Sequence, residues 1–338
     1  HHVKYCKKLQ LLVQYYPMSK NRIMNLEKIQ QPIESLLKET DRFLREQIQT
    51  NIPIINKIST IAPITKGKKI RSTLLFLLSG MNNALTSCSY LSEIAAAIEM
   101  FHLSSLIHDD IVDNSDLRRG EQTLHNNLGN NLSVMWGDFL FITAFSSLNK
   151  LGKDFLMKIS LEAARLMVEG QIIEIDNAFN IDIPQQTYYD IINKKTSSLF
   201  AAVTQIAAAV NNDPPALQEK YHRFGLNVGA IFQVTDDMLD IFSDKTGKDR
   251  FSDLKEGKVT LPLIFLLKEG KEDIKTYFSE GNREKLLTLF ETHRVKELCL
   301  QEIDGYYRQC LDFLGEFPDS PYKASVLDLL EFIKYRDY

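Results

Sequence analysis

A largely apolar run passes directly into three aspartates at Leu106-Ile107-His108-Asp109-Asp110-Ile111-Val112-Asp113. Successive side chains on an α-helix advance by about 100°, so Asp109 and Asp113 share one face a turn apart. Two carboxylates presented together are hard oxygen ligands, of the kind that hold Mg²⁺ beside substrate phosphates. The segment therefore predicts a helix that begins in the core and ends in an acidic site.

A second copy of this pattern follows later in the chain, at Asp236-Asp237-Met238-Leu239-Asp240. A single acidic pentad near a helix end is most often a solvated surface. Two copies, each directly after an apolar run, are costly to bury unless cations compensate them. We therefore predict two facing carboxylate pairs that hold a diphosphate through bridging magnesium ions.

Composition favours long helices. The 338 residues include 15 Gly and 10 Pro, about 4% and 3%, against average usage of about 7% and 5%. Apolar residues recur at helical spacing, and no repeat or alternation of strands with helices occurs. We predict one all-α domain over residues 24–338. The chain opens with two histidines and no methionine, so residues 1–23 are predicted to be an extension or a tag remnant.

Charge, cysteines and hydropathy exclude several classes of protein. A net charge of −4 gives no reason to expect nucleic acid or an anionic membrane as a partner. The four cysteines form no CxxC pair, which argues against a zinc site or a disulfide scaffold and favours the cytoplasm. No apolar run reaches 18 residues, so no transmembrane segment is predicted.

Helical patterns place the acidic segments at the ends of two long helices, predicted at residues 87–113 and 216–242. Further helices are predicted at residues 132–151, 155–175 and 187–210. Gly225 and Gly229 lie a turn apart in the second acidic helix, where they allow close approach of another helix.

Basic residues accompany both acidic segments. Arg118 and Arg119 follow the first, and Lys248 and Lys258 follow the second. The planar arginine fork matches phosphate oxygens in a bidentate manner. These side chains are therefore predicted to bind a diphosphate.

The residues from Leu106 to Gly120 resemble, almost throughout, the first aspartate-rich signature of the trans-isoprenyl diphosphate synthases. This polyprenyl synthase family includes farnesyl, geranylgeranyl and longer-chain enzymes, and the resemblance covers about residues 30–335. It implies a helical bundle around a central cavity, three magnesium ions and a homodimer. The implied reaction joins isopentenyl diphosphate head-to-tail to an allylic diphosphate, giving an all-trans polyprenyl diphosphate.

The resemblance also implies roles for individual residues. Gly67-Lys68-Lys69-Ile70-Arg71 resembles the segment that binds isopentenyl diphosphate, although Lys66 and Ser72 replace the family's Gly and Pro. His102 falls where the family has a further ligand for that substrate, whereas a lone His on an apolar stripe is otherwise a core residue. The implied ligands of isopentenyl diphosphate are Lys68, Arg71, His102 and Arg119. Those of the allylic substrate are Arg118, Lys195, Thr196, Gln233, Lys248 and Lys258, and the implied metal ligands are Asp109, Asp110, Asp113, Asp236, Asp237 and Asp240.

The implied mechanism begins with magnesium-assisted ionisation of the allylic carbon–oxygen bond, and Arg118 and Lys195 are among the implied catalytic residues. The hydroxyl of Thr196 and the amide oxygen of Gln233 stabilise the resulting cation. The double bond of isopentenyl diphosphate then attacks, and a proton is lost to the departed diphosphate.

Product length is predicted from Ser104 and Ser105, which lie roughly 6 to 7 Å down the helix from Asp109. Family members with aromatic residues here stop at farnesyl or geranylgeranyl length, so two serines leave the passage open. Phe101 lies deeper, and it forms either a floor with the neighbouring Phe139, Phe141 and Phe145 or ordinary core. We predict a product beyond twenty carbons, roughly thirty to forty.

Four alternatives remain open. A short-chain farnesyl or geranylgeranyl synthase would share every motif. A class I terpene cyclase normally lacks the second aspartate-rich motif and the Lys68 and Arg71 site, and a non-catalytic partner subunit usually has eroded aspartates. A phosphohydrolase built on His108-Asp109 would need more histidines than His125 supplies.

Overall fold

The computed structural model describes residues 25–62, 64–81, 84–118, 120–243, 251–268 and 272–336. These residues are almost entirely helical, so the all-α prediction is confirmed. The segment predicted to be an extension or a tag remnant lies outside the described residues. The helices are α1 (Leu26–Gln30), α2 (Glu34–Ile48), α3 (Pro53–Ile61), α4 (Ile70–Met81), α5 (Ala84–Ser87), α6 (Leu91–Val112), α7 (Leu124–Leu128), α8 (Asn130–Lys150), α9 (Asp154–Asp176), α10 (Gln185–Ile192), α11 (Ser198–Val210), α12 (Pro215–Phe242), α13 (Ser252–Lys255), α14 (Leu261–Leu267), α15 (Glu272–Ser279), α16 (Arg283–Thr292), α17 (Val295–Leu314) and α18 (Pro321–Tyr335).

Two helices form the centre of the molecule. Every residue of α11 except Gln205 is buried, and every residue of α4 except Met81 is buried. A helix that is apolar on all sides can be stable only inside the protein. Accordingly, α11 packs against α4, α9 and α12. Outer helices such as α2 instead bury one stripe, formed by Leu37, Thr40, Leu44 and Ile48.

The two aspartate-bearing helices, α6 and α12, run through the core and end at the same region. Helix α6 packs against α8, and α12 packs against α11 and α17. The predicted close approach at the glycines of α12 is confirmed, because a Cβ on Gly225 would lie 2.5 Å from the Cα of Ala201. Helix α6 begins at Leu91 and not at residue 87, since the chain turns after α5.

Two local features depart from the predicted pattern. The helical region predicted at residues 187–210 contains a π-helical turn at Asn193–Ser197, between α10 and α11. A short antiparallel pair also follows α6, with β1 (Leu117–Arg118) aligned on β2 (Glu121–Gln122). Gly120, with φ +77°, turns the chain between these strands, a conformation that costs glycine little. No helix among the described residues has the length and apolar character needed to cross a bilayer.

Candidate active site

A cavity of about 380 Å³ lies where α6, α9, the π-helical turn and α12 meet. Its size is within the range of small-molecule binding sites. Apolar side chains of α9 line one side, and charged side chains gather at the ends of the aspartate helices. Of the predicted site residues, those that line this cavity are Arg71, His102, Ser104, Ser105, Asp109, Asp113, Arg118, Lys195, Thr196, Gln233, Asp236 and Lys258.

A smaller cavity of about 80 Å³ adjoins the large one. The structure brings Lys68, Arg71 and His102 together around it, as predicted for one binding site. Arg71, His102 and Phe232 line both cavities and so form the wall between them. Two ligands could therefore lie side by side, one in each cavity.

Arg71 is a buried cation at this shared wall. Its guanidinium carbon lies 4.5 Å from the ring centroid of Phe200, and burial lowers the pKa of Arg71 to about 10. The Nε atom is buried without a hydrogen-bond partner in the described part of the chain. A buried donor of this kind is costly unless a ligand satisfies it, which suits an anionic substrate.

Ser72, which departs from the proline of the family pattern, has a local role in the structure. Its backbone N–H and its hydroxyl both donate to Oε1 of Glu99, over 3.2 and 2.6 Å. Proline could make neither bond. Glu99 thereby lies beside the small cavity, where its charge supports the charged form of Arg71.

The aspartates of the first group differ in position: two line the cavity, and one binds Arg118 of β1. Asp109 and Asp113 line the cavity, and burial raises the pKa of Asp109. Asp110 is buried and accepts two bonds at Oδ1 from Arg118, over 2.7 Å from Nε and 2.6 Å from Nη2. Asp113 accepts from Nζ of Lys258 over 2.8 Å.

The aspartates of the second group also differ in position: one lines the large cavity, and the other two are bound by neighbouring residues. Asp236 lines the large cavity and is paired with Arg336 from the end of the chain. Asp237 is buried and accepts from Gln233 and Tyr188, while burial raises its pKa to about 7. Asp240 accepts from the backbone and hydroxyl of Ser252 over 3.0 and 2.6 Å, at the start of α13. Of this group, only Asp236 lines the large cavity.

The π-helical turn presents Lys195 and Thr196 to the cavity. A π-turn adds one residue to a helix and often marks a functional site. Lys195 forms a buried ion pair with Glu174 of α9, and the hydroxyl of Thr196 donates to Oε1 of Gln233 over 2.7 Å. Gly229 permits this geometry, because a Cβ there would lie 2.4 Å from the Cα of Ser197.

The carboxylates are suited to metal ions that arrive with a ligand. Asp109, Asp113 and Asp236 supply hard oxygens from two helices of one cavity. Among the described side chains, no three potential metal ligands form a ready-made cluster. Mg²⁺ commonly binds one or two carboxylates and completes its shell with substrate phosphates and water. The residues present fit that mode of binding.

Three of the four aromatic residues considered for a floor of the cavity, Phe101, Phe141 and Phe145, form one cluster. The ring centroid of Phe101 lies 5.5 Å from that of Phe141 and 4.6 Å from that of Phe145. Phe139 does not join this cluster but stacks on Trp136, 5.3 Å away. Phe141 also lines the large cavity, so the cluster lies at its apolar end.

The two serines differ in their surroundings. Ser104 is fully buried, and its hydroxyl donates to the carbonyl of Gly137 over 2.9 Å. The Ser105 hydroxyl donates to the carbonyl of His102 over 2.8 Å. Both leave the wall of the cavity without a bulky side chain at this level.

Two predicted ligands, Arg119 and Lys248, lie outside the described residues. Sequence reasoning missed three residues: Glu256, which lines the large cavity, Arg336, which lines the small one, and Glu174, which pairs with Lys195. Glu174 could have been found, because it is a charged residue one turn after Gln171 in an otherwise apolar stretch of α9. Arg336 gives no such local signal.

Comparison with known proteins places the chain among prenyl-transferring enzymes. The sequence model of the polyprenyl synthetase family matches residues 52–292. Octaprenyl diphosphate synthase of Escherichia coli is 30% identical over 324 residues, covering 93% of this chain and 100% of the relative. A geranyl-diphosphate-specific all-trans-nonaprenyl-diphosphate synthase of Rhodobacter capsulatus is 30% identical over 307 residues, covering 88% and 94%.

Solved structures share the fold. A polyprenyl synthase of Caulobacter crescentus, complexed with calcium and isoprenyl diphosphate, superposes with a TM-score of 0.86 and 26% identity, covering 94% of this chain and 100% of that one. A decaprenyl diphosphate synthase of Rhodobacter capsulatus superposes with a TM-score of 0.85 at 24% identity, covering 92% and 98%.

Proposed function

Because the chain belongs to the polyprenyl synthetase family, we propose that it is a prenyltransferase that condenses isopentenyl diphosphate with an allylic diphosphate. The product is an all-trans polyprenyl diphosphate longer than twenty carbons. The observation that carries this proposal is the pair of adjoining cavities, one basic and one acidic, with Arg71 and His102 in the wall between them.

The smaller cavity takes isopentenyl diphosphate. Lys68 and Arg71 supply cationic donors, and His102 supplies a third polar group on the shared wall. Arg119 belongs to the same proposed set. A diphosphate there satisfies the buried guanidinium of Arg71 and lies beside the larger cavity, where the second substrate reacts.

The larger cavity takes the allylic substrate. Its diphosphate lies among Arg118, Lys195 and Lys258, with Lys248 in the same proposed set, and its tail extends toward Phe141. We propose that Asp109, Asp113 and Asp236 would be the direct ligands of three magnesium ions, while Asp110 holds Arg118 and Asp240 holds the start of α13 beside them. Bound Mg²⁺ supplies positive charge that stabilises the departing diphosphate.

The protein's own residues then direct the carbon chemistry. As the allylic carbon–oxygen bond breaks, the oxygens of Thr196 and Gln233 stabilise the positive charge on carbon. The double bond of isopentenyl diphosphate forms the new carbon–carbon bond from the adjoining cavity. A proton passes to the released diphosphate, and the lengthened allylic product can re-enter the cycle. The apolar wall keeps water from the cation.

A long product is supported by the relatives and by the cavity. The curated relatives described above make octaprenyl and nonaprenyl diphosphates, by their names. The serines on α6 leave the passage open as far as the cluster of Phe101, Phe141 and Phe145. We propose a product of roughly thirty to forty carbons, in line with the length expected from the sequence.

We also propose that the protein works as a homodimer in the cytoplasm. Helices α8 and α9 expose Met135 and Ile142, and Val168 and Ile172, each between 53% and 65% exposed. Large exposed apolar stripes on neighbouring helices usually mark a protein interface. Cys88, Cys299 and Cys310 are free thiols, in agreement with a reducing compartment.

Release of diphosphate from an allylic substrate, measured with and without isopentenyl diphosphate, tests the proposal. We expect rapid release only when both substrates and Mg²⁺ are present, together with a longer prenyl product. Rapid release from the allylic substrate alone, with a cyclic product, would indicate a terpene cyclase. No release in either reaction would indicate a non-catalytic subunit.

A further inference from the structure

Four side chains form a continuous line of hydrogen bonds from the large cavity into the core. The hydroxyl of Thr196 donates to Oε1 of Gln233 over 2.7 Å, and Nε2 of Gln233 donates to Oδ1 of Asp237 over 2.8 Å. The hydroxyl of Tyr188 donates to the other oxygen of Asp237, Oδ2, over 2.6 Å. Thr196 and Gln233 line the cavity, while Tyr188 and Asp237 lie behind them.

This line of bonds fixes the direction of the Gln233 amide. The Tyr188 hydroxyl donates to one oxygen of Asp237, and the NH₂ group of Gln233 donates to the other. The carbonyl oxygen of Gln233 then faces Thr196 and accepts the Thr196 hydroxyl hydrogen. Both side chains consequently turn oxygen lone pairs, and not hydrogens, toward the cavity. That polarity suits a carbocation.

Tyr188 holds Asp237 at the inner end of this line of hydrogen bonds. Tyr188 and Asp237 are 3% and 2% exposed, so no bulk water can replace the tyrosine hydroxyl. A carboxyl group that accepts a bond at each oxygen is held in one orientation. Removing the hydroxyl would leave one buried oxygen of Asp237 without its donor and free the carboxylate to rotate. Tyr188 lies on α10, outside both aspartate motifs.

We propose that Tyr188 and Asp237 are positioning residues that hold the oxygens of Gln233 and Thr196 toward the reacting allylic carbon. Asp237 acts through Gln233 and is not itself a metal ligand, in contrast to the role predicted from the sequence. Both of its oxygens already accept a bond within the core, whereas Asp236 lines the large cavity. The inference rests on the proposed prenyl transfer.

The first test compares Tyr188→Phe with Tyr189→Phe. The neighbouring Tyr189 has a ring centroid 5.6 Å from that of Tyr188, but its hydroxyl accepts from Gln185 and takes no part in the line. We expect kcat to fall about tenfold or more in Tyr188→Phe, as for loss of one hydrogen bond to a charged group. KM for both substrates and the Mg²⁺ concentration for half-maximal rate should stay within about twofold. Tyr189→Phe should match the parent in all three.

The second test uses Asp237→Asn beside Asp236→Asn, with Mg²⁺ titrated at saturating substrates. An asparagine at position 237 permits the reversed orientation of Gln233, so kcat should fall while the Mg²⁺ requirement stays unchanged. Asp236→Asn should instead raise the Mg²⁺ requirement. If Tyr188→Phe does not fold, the comparison of Asp237→Asn with Asp236→Asn still tests the positioning role.

Three results would overturn the proposal: parental kcat in Tyr188→Phe, parental kcat in Asp237→Asn, or an Mg²⁺ requirement raised equally in Asp237→Asn and Asp236→Asn. A purely structural role would lower the melting temperature of Tyr188→Phe without changing kcat of the folded enzyme. If the proposed function itself is wrong, the parent enzyme will make no lengthened product. That result differs from the three above, in which the parent is active.

Discussion

Three acidic side chains of the site, Asp113, Asp110 and Asp236, are each paired with a basic one. Lys258 lies 2.8 Å from Asp113, Arg118 holds Asp110, and Arg336 holds Asp236. Burial alone would lower the pKa of Lys258, yet the surrounding carboxylates, Glu174 first, raise it well above its usual value. These ion pairs explain how so much charge folds at the edge of a core, since isolated buried charges are prohibitive.

Replacing Asp109 or Asp236 by Asn should lower the rate of prenyl transfer at least a hundredfold in saturating Mg²⁺, because each supplies charge to an electrostatically driven step.

The two variants should differ in stability. Burial raises the pKa of Asp109, so its loss costs little stability, whereas loss of Asp236 leaves the buried Arg336 without that partner. Steady-state kinetics and thermal melts check both points. Activity within about tenfold of the parent would contradict the assignment of these carboxylates.

Substitutions in the two cavities should affect KM for different substrates. Lys68→Ala should raise KM for isopentenyl diphosphate far more than KM for the allylic substrate, because Lys68 lines only the smaller cavity. Arg118→Ala should do the reverse. Lys38→Ala is the control, since this exposed lysine pairs with Glu34 and lines neither cavity. Equal changes in both constants for both variants would refute the division of the site.

At the scale of helices, local pattern predicted most of the fold. The aspartate helices, the close contacts of Gly225 and Gly229, and the gathering of Lys68, Arg71 and His102 all follow from spacing or from family resemblance. Such features depend on residues a few positions apart, or on motifs whose partners the family supplies.

Other elements could not be predicted because they depend on distant contacts. Arg336 and Asp236 are 100 positions apart in the sequence, and no local pattern predicts that they pair. The π-helical turn is indistinguishable from an α-helix in hydrophobic spacing. The bond from Tyr188 to Asp237 likewise appears only when α10 and α12 are placed together.

Gly229→Ala should disturb the contact between α12 and the π-helical turn. The added Cβ would lie 2.4 Å from the Cα of Ser197, and backbone cannot give way cheaply. We expect a loss of about 1–3 kcal/mol in the free energy of unfolding, as for overpacked cores, together with reduced kcat. Denaturant titration measures the first and steady-state kinetics the second.

Gly305→Ala is the control for this substitution. It lies within α17, and a Cβ there would meet nothing within 4 Å. It should leave kcat unchanged and raise stability by up to about 1 kcal/mol, because alanine favours the helix. Equal effects of both substitutions would show that the close contact at Gly229 has no consequence.

At the scale of the whole molecule, the proposed homodimer would bury the exposed apolar stripes of α8 and α9. Ile142→Glu should shift the protein from dimer to monomer in sedimentation velocity, because it places a charge in an apolar interface. Leu298→Glu, at an exposed position on α17, should leave the dimer intact. A parent protein that sediments as a monomer would contradict the dimer.

The length of the prenyl chain tests the central claim most directly. The parent enzyme should convert isopentenyl diphosphate and an allylic primer into products longer than twenty carbons, resolved by reverse-phase chromatography after dephosphorylation. Ser105→Phe should shorten the product sharply, because the new ring fills the passage between Asp109 and the Phe101 cluster without contacting the proposed metal ligands. A parent product that ends at fifteen or twenty carbons, or a Ser105→Phe product of unchanged length, would contradict the account.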